Sequence, residues 1–378
     1  MAIPGAVRDL CALPAMPDAA TATPAPATSR AKYARGPRVK AVTGPAPFPS
    51  PKKGEFTFID LFAGIGGFRL ALQSLGGKCV FTSEWDAAAQ KTYEANFGDK
   101  PHGDITKIDE KSVPDHDVLC AGFPCQAFSI AGKRRGFDET RGTLFFDVAR
   151  IIREKRPRVL LLENVKGLMN HDQGHTLATI LRVLREDLGY TVPEPRIVNA
   201  RHHGVPQNRE RIFIVGFRDA ADAPAFAYPA NSAKRPKLAD ILEGETVSAR
   251  YYLSTQYLGC LRAHKDRHAG KGNGFGFEVI PHDGTANAIV VGGMGKERNL
   301  VVDTRLTDFT PVTRIKGEVN REGLRRMTPR EWARLQGFPD AYRIVCADAQ
   351  SYKQFGNSVA VPAVRAVANA LLSAAKII

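Results

Sequence analysis

Short apolar runs that end in glycine or an acid alternate along this chain with segments whose apolar residues recur at helical spacing. The first such unit is a strand pattern from Phe56 that enters a glycine cluster (Gly64, Gly66, Gly67). It continues with Phe68, Leu70, Ala71, Leu72 and Leu75 at helical spacing, predicting strand, tight turn and helix. A second strand pattern, Cys79 to Glu84, ends in an acid. Asp86 then reads as the N-cap of a helix running through Tyr93 to about Phe97 and closed by Gly98. Gly103-Asp104-Ile105 reads as a short strand end.

The apolar run Asp117 to Ala121 leads into Gly122-Phe123-Pro124-Cys125-Gln126. After a polar, basic loop come Leu144, Phe145, Val148, Ile151 and Ile152 on one helical face, ended near Pro157. Val159 to Leu162 is continuously apolar, the mark of a strand buried on both faces of a parallel sheet, and it delivers Glu163-Asn164-Val165 to the sheet edge. A further βα unit leads to Gln207-Asn208-Arg209-Glu210-Arg211 and the strand Ile212 to Gly216. Strands alternating with helices predict an open α/β sheet, whose ligands sit at the carboxyl ends of the strands.

From about Phe226 the pattern breaks into short, glycine-interrupted basic segments, predicting a second domain of mixed short strands and exposed loops over residues 226–344. Gly270 to Gly276 lacks the strand and helix that a nucleotide loop requires, and Gly292 to Lys296 reads as a flexible loop. Thr328-Pro329-Arg330-Glu331 is a capping box opening a short helix through Trp332 and Leu335, stopped by Gly337. A last helix from Pro362 places Val364, Val367, Ala368, Leu371 and Leu372 on one face, which must dock on a core. Residues 54–225 and 345–378 are thereby predicted to form one domain around the second.

Residues 1–53 have no sustained hydrophobic period; they are rich in Ala and Pro, with Asp9 and Asp18 as the only acids. They read as a disordered extension, best explained by a mis-chosen start codon or an idle tail, with a transit peptide or a DNA-clinging arm as the functional alternatives. No run reaches the roughly 18 apolar residues of a membrane span and no secretory signal is visible, so an intracellular chain with no membrane partner is expected. The six cysteines are scattered, without C-x-x-C or a nearby His pair, which indicates neither a disulfide framework nor a metal site. A formal net charge of +14 suits a polyanion, most simply nucleic acid.

Candidate chemistry gathers at the predicted strand ends. The glycines allow close approach of backbone to a ligand, but neither G-x-G-x-x-G nor the P-loop pattern is present. Glu84, about 20 residues after the glycines, stands where a carboxylate binds ribose hydroxyls, with Trp85 beside it to pack on a flat ring. Asp104 is placed to accept a hydrogen bond from an adenine amino group. Arg209 and Arg211, at i and i+2 on an extended segment, project to one side and suit an anion or the acceptors of a base.

With Cys125 and Glu163 added, the sequence strongly resembles the DNA (cytosine-5) methyltransferases, in particular the short bacterial type that accompanies restriction enzymes. The resemblance spans about 56–218 and 325–372. It rests on six ordered motifs: Phe58 to Gly67, Gly122 to Gln126, Glu163 to Val165, Gln207 to Arg211, Thr328 to Pro339 and Gly356 to Val359.

The resemblance implies a doubly wound, Rossmann-like fold dependent on S-adenosylmethionine, with residues 226–344 as a loop-rich target-recognition domain. It implies a donor site formed by Phe62, Gly64, Gly67, Glu84, Trp85, Asp104, Ile105, Pro124, Leu144, Asn357 and Val359, and no metal. It also implies a double-stranded DNA substrate, a cognate restriction endonuclease, a monomer, and a bacterial cytoplasmic, nucleoid-associated setting. One departure is Ala131, where some relatives carry a small polar residue.

The implied chemistry explains the residue types. Carbon 5 of cytosine is a poor nucleophile until a thiolate, here Cys125, adds to carbon 6. The electrons pushed toward ring nitrogen 3 require an acid, for which Glu163 is the candidate. Arg209 and Arg211 are expected to hold the cytosine O2 and a neighbouring phosphate, and the loop Gln126 to about Gly142 is the candidate lid over a flipped-out base. The same chemistry on transfer RNA is the nearest alternative; a catalytically silent DNA-binding regulator is the other, against which Cys125 and Glu163 are both present.

Overall fold

In the computed structural model, which describes residues 44–124, 144–309 and 317–378, the chain begins with β1 (Phe56–Leu61), α1 (Gly67–Gln73), β2 (Gly77–Ser83), α2 (Ala87–Phe97) and β3 (Val118–Gly122). It goes on through α3 (Leu144–Lys155), β4 (Val159–Val165), α4 (His175–Arg182), β5 (Arg196–Asn199), β6 (Gln207–Asn208) and β7 (Glu210–Phe217). Then follow α5 (Thr255–Ala269), β8 (Ala286–Asn287), β9 (Leu300–Val302), β10 (Leu324–Arg326), α6 (Pro329–Leu335), α7 (Asp348–Asn357) and α8 (Val361–Ala374). All of these lie in the unit Pro37–Ile378.

Six strands form one sheet in the order β2-β1-β3-β4-β7-β5. β2, β1, β3 and β4 are parallel, but β7 runs antiparallel to both β4 and β5. The sheet is therefore mixed, which corrects the expectation of a wholly parallel environment around Val159–Leu162, while the further βα unit before Gln207 is present as α4 and β5. The connection from β5 to β7 is too short for the helical crossover that parallel pairing requires.

Strand alternation divides the apolar residues between two cores. Phe58, Val159 and Leu161 face one core, shared with α1 and with Val364, Val367, Leu371 and Leu372 of α8. Ile59, Leu61, Leu160 and Leu162 face the other, shared with Val148, Ile151 and Ile152 of α3. Helices thus cover both faces of the α/β sheet, and the last helix has the core that its apolar face demands. The run Asp348–Ala374 is long and apolar enough to cross a membrane, but 67% of its most apolar window is buried inside the protein.

The predicted boundaries hold where local chemistry sets them. Asp86 accepts from the Ala88 and Ala89 N–H groups, and α2 ends on Gly98 at φ +84°. The capping box of α6 forms, Thr328 Oγ1 accepting from Glu331 N–H at 3.2 Å and a Glu331 carboxylate oxygen from Thr328 N–H at 2.8 Å.

Three local expectations are corrected. Gly103-Asp104-Ile105 is not a strand end but enters a 3-10 turn, Ile105–Lys107, because the Asp104 side chain caps the Thr106 N–H. The basic residues His264, Lys265, Arg267 and His268 stand on the 15-residue helix α5, not on loops. Residues 44–53 are packed against α1 and α2 rather than continuing a disordered extension, with Phe48 against the first core.

Within 226–344, β9 and β10 form an antiparallel ladder, and β8 pairs in parallel with β6. Two small cores lie here, one around Leu253, Leu258, Leu261 and Leu324, the other around Val247, Tyr252 and Val319.

Candidate active site

The ends of β1, β2, β3 and β4 open into a cavity of about 710 Å³. Every described candidate lines it: Phe62, Gly64, Gly67, Glu84, Trp85, Asp104, Ile105, Pro124, Leu144, Glu163, Arg209, Arg211, Asn357 and Val359. Cys125 and the candidate lid to Gly142, Ala131 included, lie outside the described residues. β3 nevertheless aims its carboxyl end at this cavity, and Pro124, the residue before Cys125, is on the wall.

The glycine turn is shaped for close approach. Phe62 takes φ +58°, a left-handed conformation rare for a bulky residue, and Gly64 takes φ +55° with nothing within 4 Å of where a Cβ would stand. A Cβ on Gly67 would lie 2.6 Å from Val359 Cγ2, so the turn and the C-terminal segment meet with no room for a side chain.

Glu84 bridges two strand ends. Its Oε2 accepts from Gly64 N–H at 2.8 Å and its Oε1 from Asp86 N–H at 2.7 Å, leaving further acceptor capacity on each oxygen. Burial pushes its pKa up, against the pull of those backbone donors. Trp85 is 77% exposed, an indole face offered at the rim. Asp104 caps its own turn but keeps one carboxylate oxygen free of backbone donors.

Across the cavity, Glu163 is buried and pairs with Arg211, whose Nε stands 3.1 Å from Oε1. Burial raises the Glu163 pKa, while Arg211 and then Arg209 pull it down. The neighbouring Asn164 donates from Nδ2 to the Phe123 carbonyl at 2.8 Å and accepts from Val165 N–H at 2.8 Å. This ties the end of β4 to the backbone just before Pro124 and Cys125.

Arg209 is employed differently from the expectation of a contact to base or phosphate. Its Nη1 donates to Ile289 O at 3.0 Å, and its Nη2 to Gly356 O at 3.1 Å and Ser358 O at 2.6 Å. Both terminal nitrogens are thus committed to backbone, and the residue clamps β6, the loop near Ile289 and the C-terminal segment together. Gln207 does the same from the adjacent strand, donating to Leu335 O and accepting from Ile289 N–H.

Sequence patterns did not single out Asn164, or Gln350, Lys353 and Gln354 of α7, which also line the cavity. The signal for α7 was present in Tyr352 and Phe355, three apart on its buried face. Among the described cysteines, Cys79 and Cys120 are buried, their thiols pushed up by desolvation, Cys79 to about 12. Neither is a competing nucleophile. No group of three or more His, Cys, Asp or Glu side chains fit to hold a metal occurs among the described residues.

The sequence profile described as C-5 cytosine-specific DNA methylase matches residues 56–373. The chain is 69% identical over 320 residues to the Type II methyltransferase M.HpaII of Haemophilus parainfluenzae, covering 84% of this chain and 89% of that protein. It is 40% identical over 315 residues to the Type II methyltransferase M.HhaI of Haemophilus parahaemolyticus, covering 82% and 92%. In fold it is similar to the S. pombe Dnmt2 methyltransferase, with a TM-score of 0.63 at 18% identity over 84% of this chain and 98% of that one. A putative DNA modification methyltransferase from an E. coli prophage superposes with a TM-score of 0.59 at 20% identity, over 84% and 98%. With a profile match over residues 56–373 and relatives 69% and 40% identical over more than four-fifths of its length, the chain belongs to the C-5 cytosine-specific DNA methylases.

Proposed function

We propose that this DNA cytosine methyltransferase acts through a covalent adduct of Cys125 with carbon 6 of a cytosine flipped out of duplex DNA. One observation carries the reading: a single cavity is lined by the Gly64–Glu84 turn, by the Glu163–Arg211 pair and by Pro124, the residue before Cys125.

The residues present fit S-adenosylmethionine. Open space above Gly64 admits the donor against the backbone, Glu84 has lone pairs left for ribose hydroxyls, and Trp85 offers a ring face. Asp104 would accept from the adenine amino group, and Phe62, Gly67, Ile105, Pro124, Leu144, Asn357 and Val359 would complete the wall. The donor supplies an electrophilic methyl group on sulfonium.

The Cys125 thiolate forms a bond to carbon 6, and the displaced ring electrons reach nitrogen 3, where Glu163 supplies the proton. Carbon 5, now enamine-like, would take the methyl group from the donor's sulfonium, leaving S-adenosylhomocysteine, and the nitrogen 3 proton would return to Glu163. Loss of its proton to water then re-forms the double bond and expels the thiolate. Arg211 neutralises Glu163 when the acid has given up its proton and faces the cytosine O2, while Arg209 positions the backbone behind it. Residues 226–344 recognise the target, and basic residues offset the few kcal/mol that flipping costs. We further assign the chain as a cytoplasmic monomer acting at the nucleoid, paired with an endonuclease of the same specificity.

The test is transfer of labelled methyl to duplex DNA and, in parallel, to transfer RNA, with Cys125→Ala alongside. Label should enter DNA with the native chain only; undiminished DNA methylation by Cys125→Ala would refute the adduct. Bisulfite sequencing of DNA from expressing cells should show one short motif.

A further inference from the structure

The residues ahead of β1 grip the back of the glycine turn. Phe48 stacks on Tyr342, ring centroids 6.2 Å apart at 25°, and meets Phe97 at 6.3 Å. Each of those partners touches the turn itself. Tyr342 donates its hydroxyl to Ile65 O at 2.6 Å, and Phe97 packs so closely on Gly66 that a Cβ there would overlap its ring.

Hydrogen bonds hold this strap at both ends. Phe48 N–H donates to Asn96 O at 2.9 Å, and Arg343 Nη2 to Pro45 O at 2.7 Å. Ser50 Oγ accepts from Arg69 Nη2 at 3.0 Å, and Asp99 accepts from the same fully buried guanidinium at 2.6 and 2.8 Å. Arg69 is the third residue of α1, so its anchorage fixes the helix that leaves the turn.

We infer that Gly44–Ser50 is a positioning strap for S-adenosylmethionine binding, with Phe48 acting through Tyr342 and Phe97 on the turn Gly64–Gly67. This rests on reading the cavity as the donor site. The turn has two left-handed glycines and a left-handed Phe62, a backbone that costs free energy to hold and needs surrounding contacts to fix it. Rings packed on its outer side supply them without touching the ligand. The strap lies within the segment read from sequence as an extension, so a cut at residue 53 removes it.

The experiment measures S-adenosylmethionine and sheared duplex DNA affinities by calorimetry for the full chain and its Phe48→Ala, Phe48→Tyr and Tyr342→Phe variants, with the thermal midpoint of each. Loss of the two Phe48 ring pairs, transmitted in part to the turn, should weaken donor binding roughly threefold to tenfold in Phe48→Ala. Affinity for DNA should stay within about twofold in a chain still folded at the assay temperature. Phe48→Tyr, which keeps the ring, should bind like the native chain. Tyr342→Phe should weaken binding, and adding it to Phe48→Ala should cost less than the sum, since both act through one contact. Native donor affinity in Phe48→Ala, or equal losses for donor and DNA, would overturn the strap. A native chain that fails to bind S-adenosylmethionine would overturn the donor-site reading itself.

Discussion

A carboxyl group buried against an arginine, as Glu163 is against Arg211, is pulled two ways: desolvation favours its proton and the guanidinium favours its charge. That balance suits a group that must give and retake a proton at nitrogen 3. Glu163→Gln should therefore lower single-turnover methylation by about 10²–10⁴-fold, the usual yield of general acid–base catalysis, with donor affinity retained. Donor binding falling in parallel would place Glu163 in the wall rather than the chemistry.

Asp60, near the end of β1, is fully buried, and desolvation raises its pKa to about 8 against the pull of the Arg69 charge and backbone N–H. The folded state therefore holds a proton that the unfolded chain releases near pH 4, so stability is greatest below that pH and declines toward about pH 8. Asp60→Asn should flatten this decline in urea unfolding followed from pH 5 to pH 8; an unchanged slope would show that Asp60 ionises freely. Its place in Phe58 to Gly67 was legible in sequence, but its burial was not. Glu84 was legible because a strand followed by an acid has a fixed direction. The partners of Arg209 were not, because Ile289 and Ser358 lie 80 and 149 residues away.

Among the elements, α6 shows how far local chemistry carries. Its capping box could be read from four residues, but Glu331 also receives both terminal nitrogens of Arg325 at 2.8 Å, and Arg325 Nε reaches Asp303 at 2.9 Å. Arg325 and Glu331 are fully buried. Removing one member leaves an uncompensated buried charge, so Glu331→Ala should lower the unfolding free energy by about 3–5 kcal/mol in denaturant titration. A loss of only the ~1 kcal/mol expected of a lost cap would mean that Arg325 finds water. The helix α5 escaped notice for the opposite reason: Leu258 and Leu261 are its only fully covered apolar positions, too few for a helical period. The sign that was present is Ser254, whose hydroxyl accepts from Tyr257 N–H.

At the scale of the molecule, the cavity is closed by pieces that begin and end the catalytic fold. α8 follows the Asn357–Val359 segment onto α1, and Val359 meets Gly67, which under the proposed donor site makes binding depend on how the C-terminal return seats. Gly67→Ala isolates this dependence. Gly67 is the first residue of α1 and does not take a left-handed φ, so alanine favours the helix locally. Any cost must come from the methyl group, 2.6 Å from Val359 Cγ2. Overpacking of this kind costs about 1–3 kcal/mol, so Gly67→Ala should lower the thermal midpoint and weaken S-adenosylmethionine binding by up to roughly five- to 150-fold. Val359→Ala removes the opposing methyl groups, and in the double variant most of the donor affinity should return, a coupling that independent sites do not show. If the two losses simply add, the turn and the C-terminal segment bind the donor as separate walls, and the return of the chain serves stability alone.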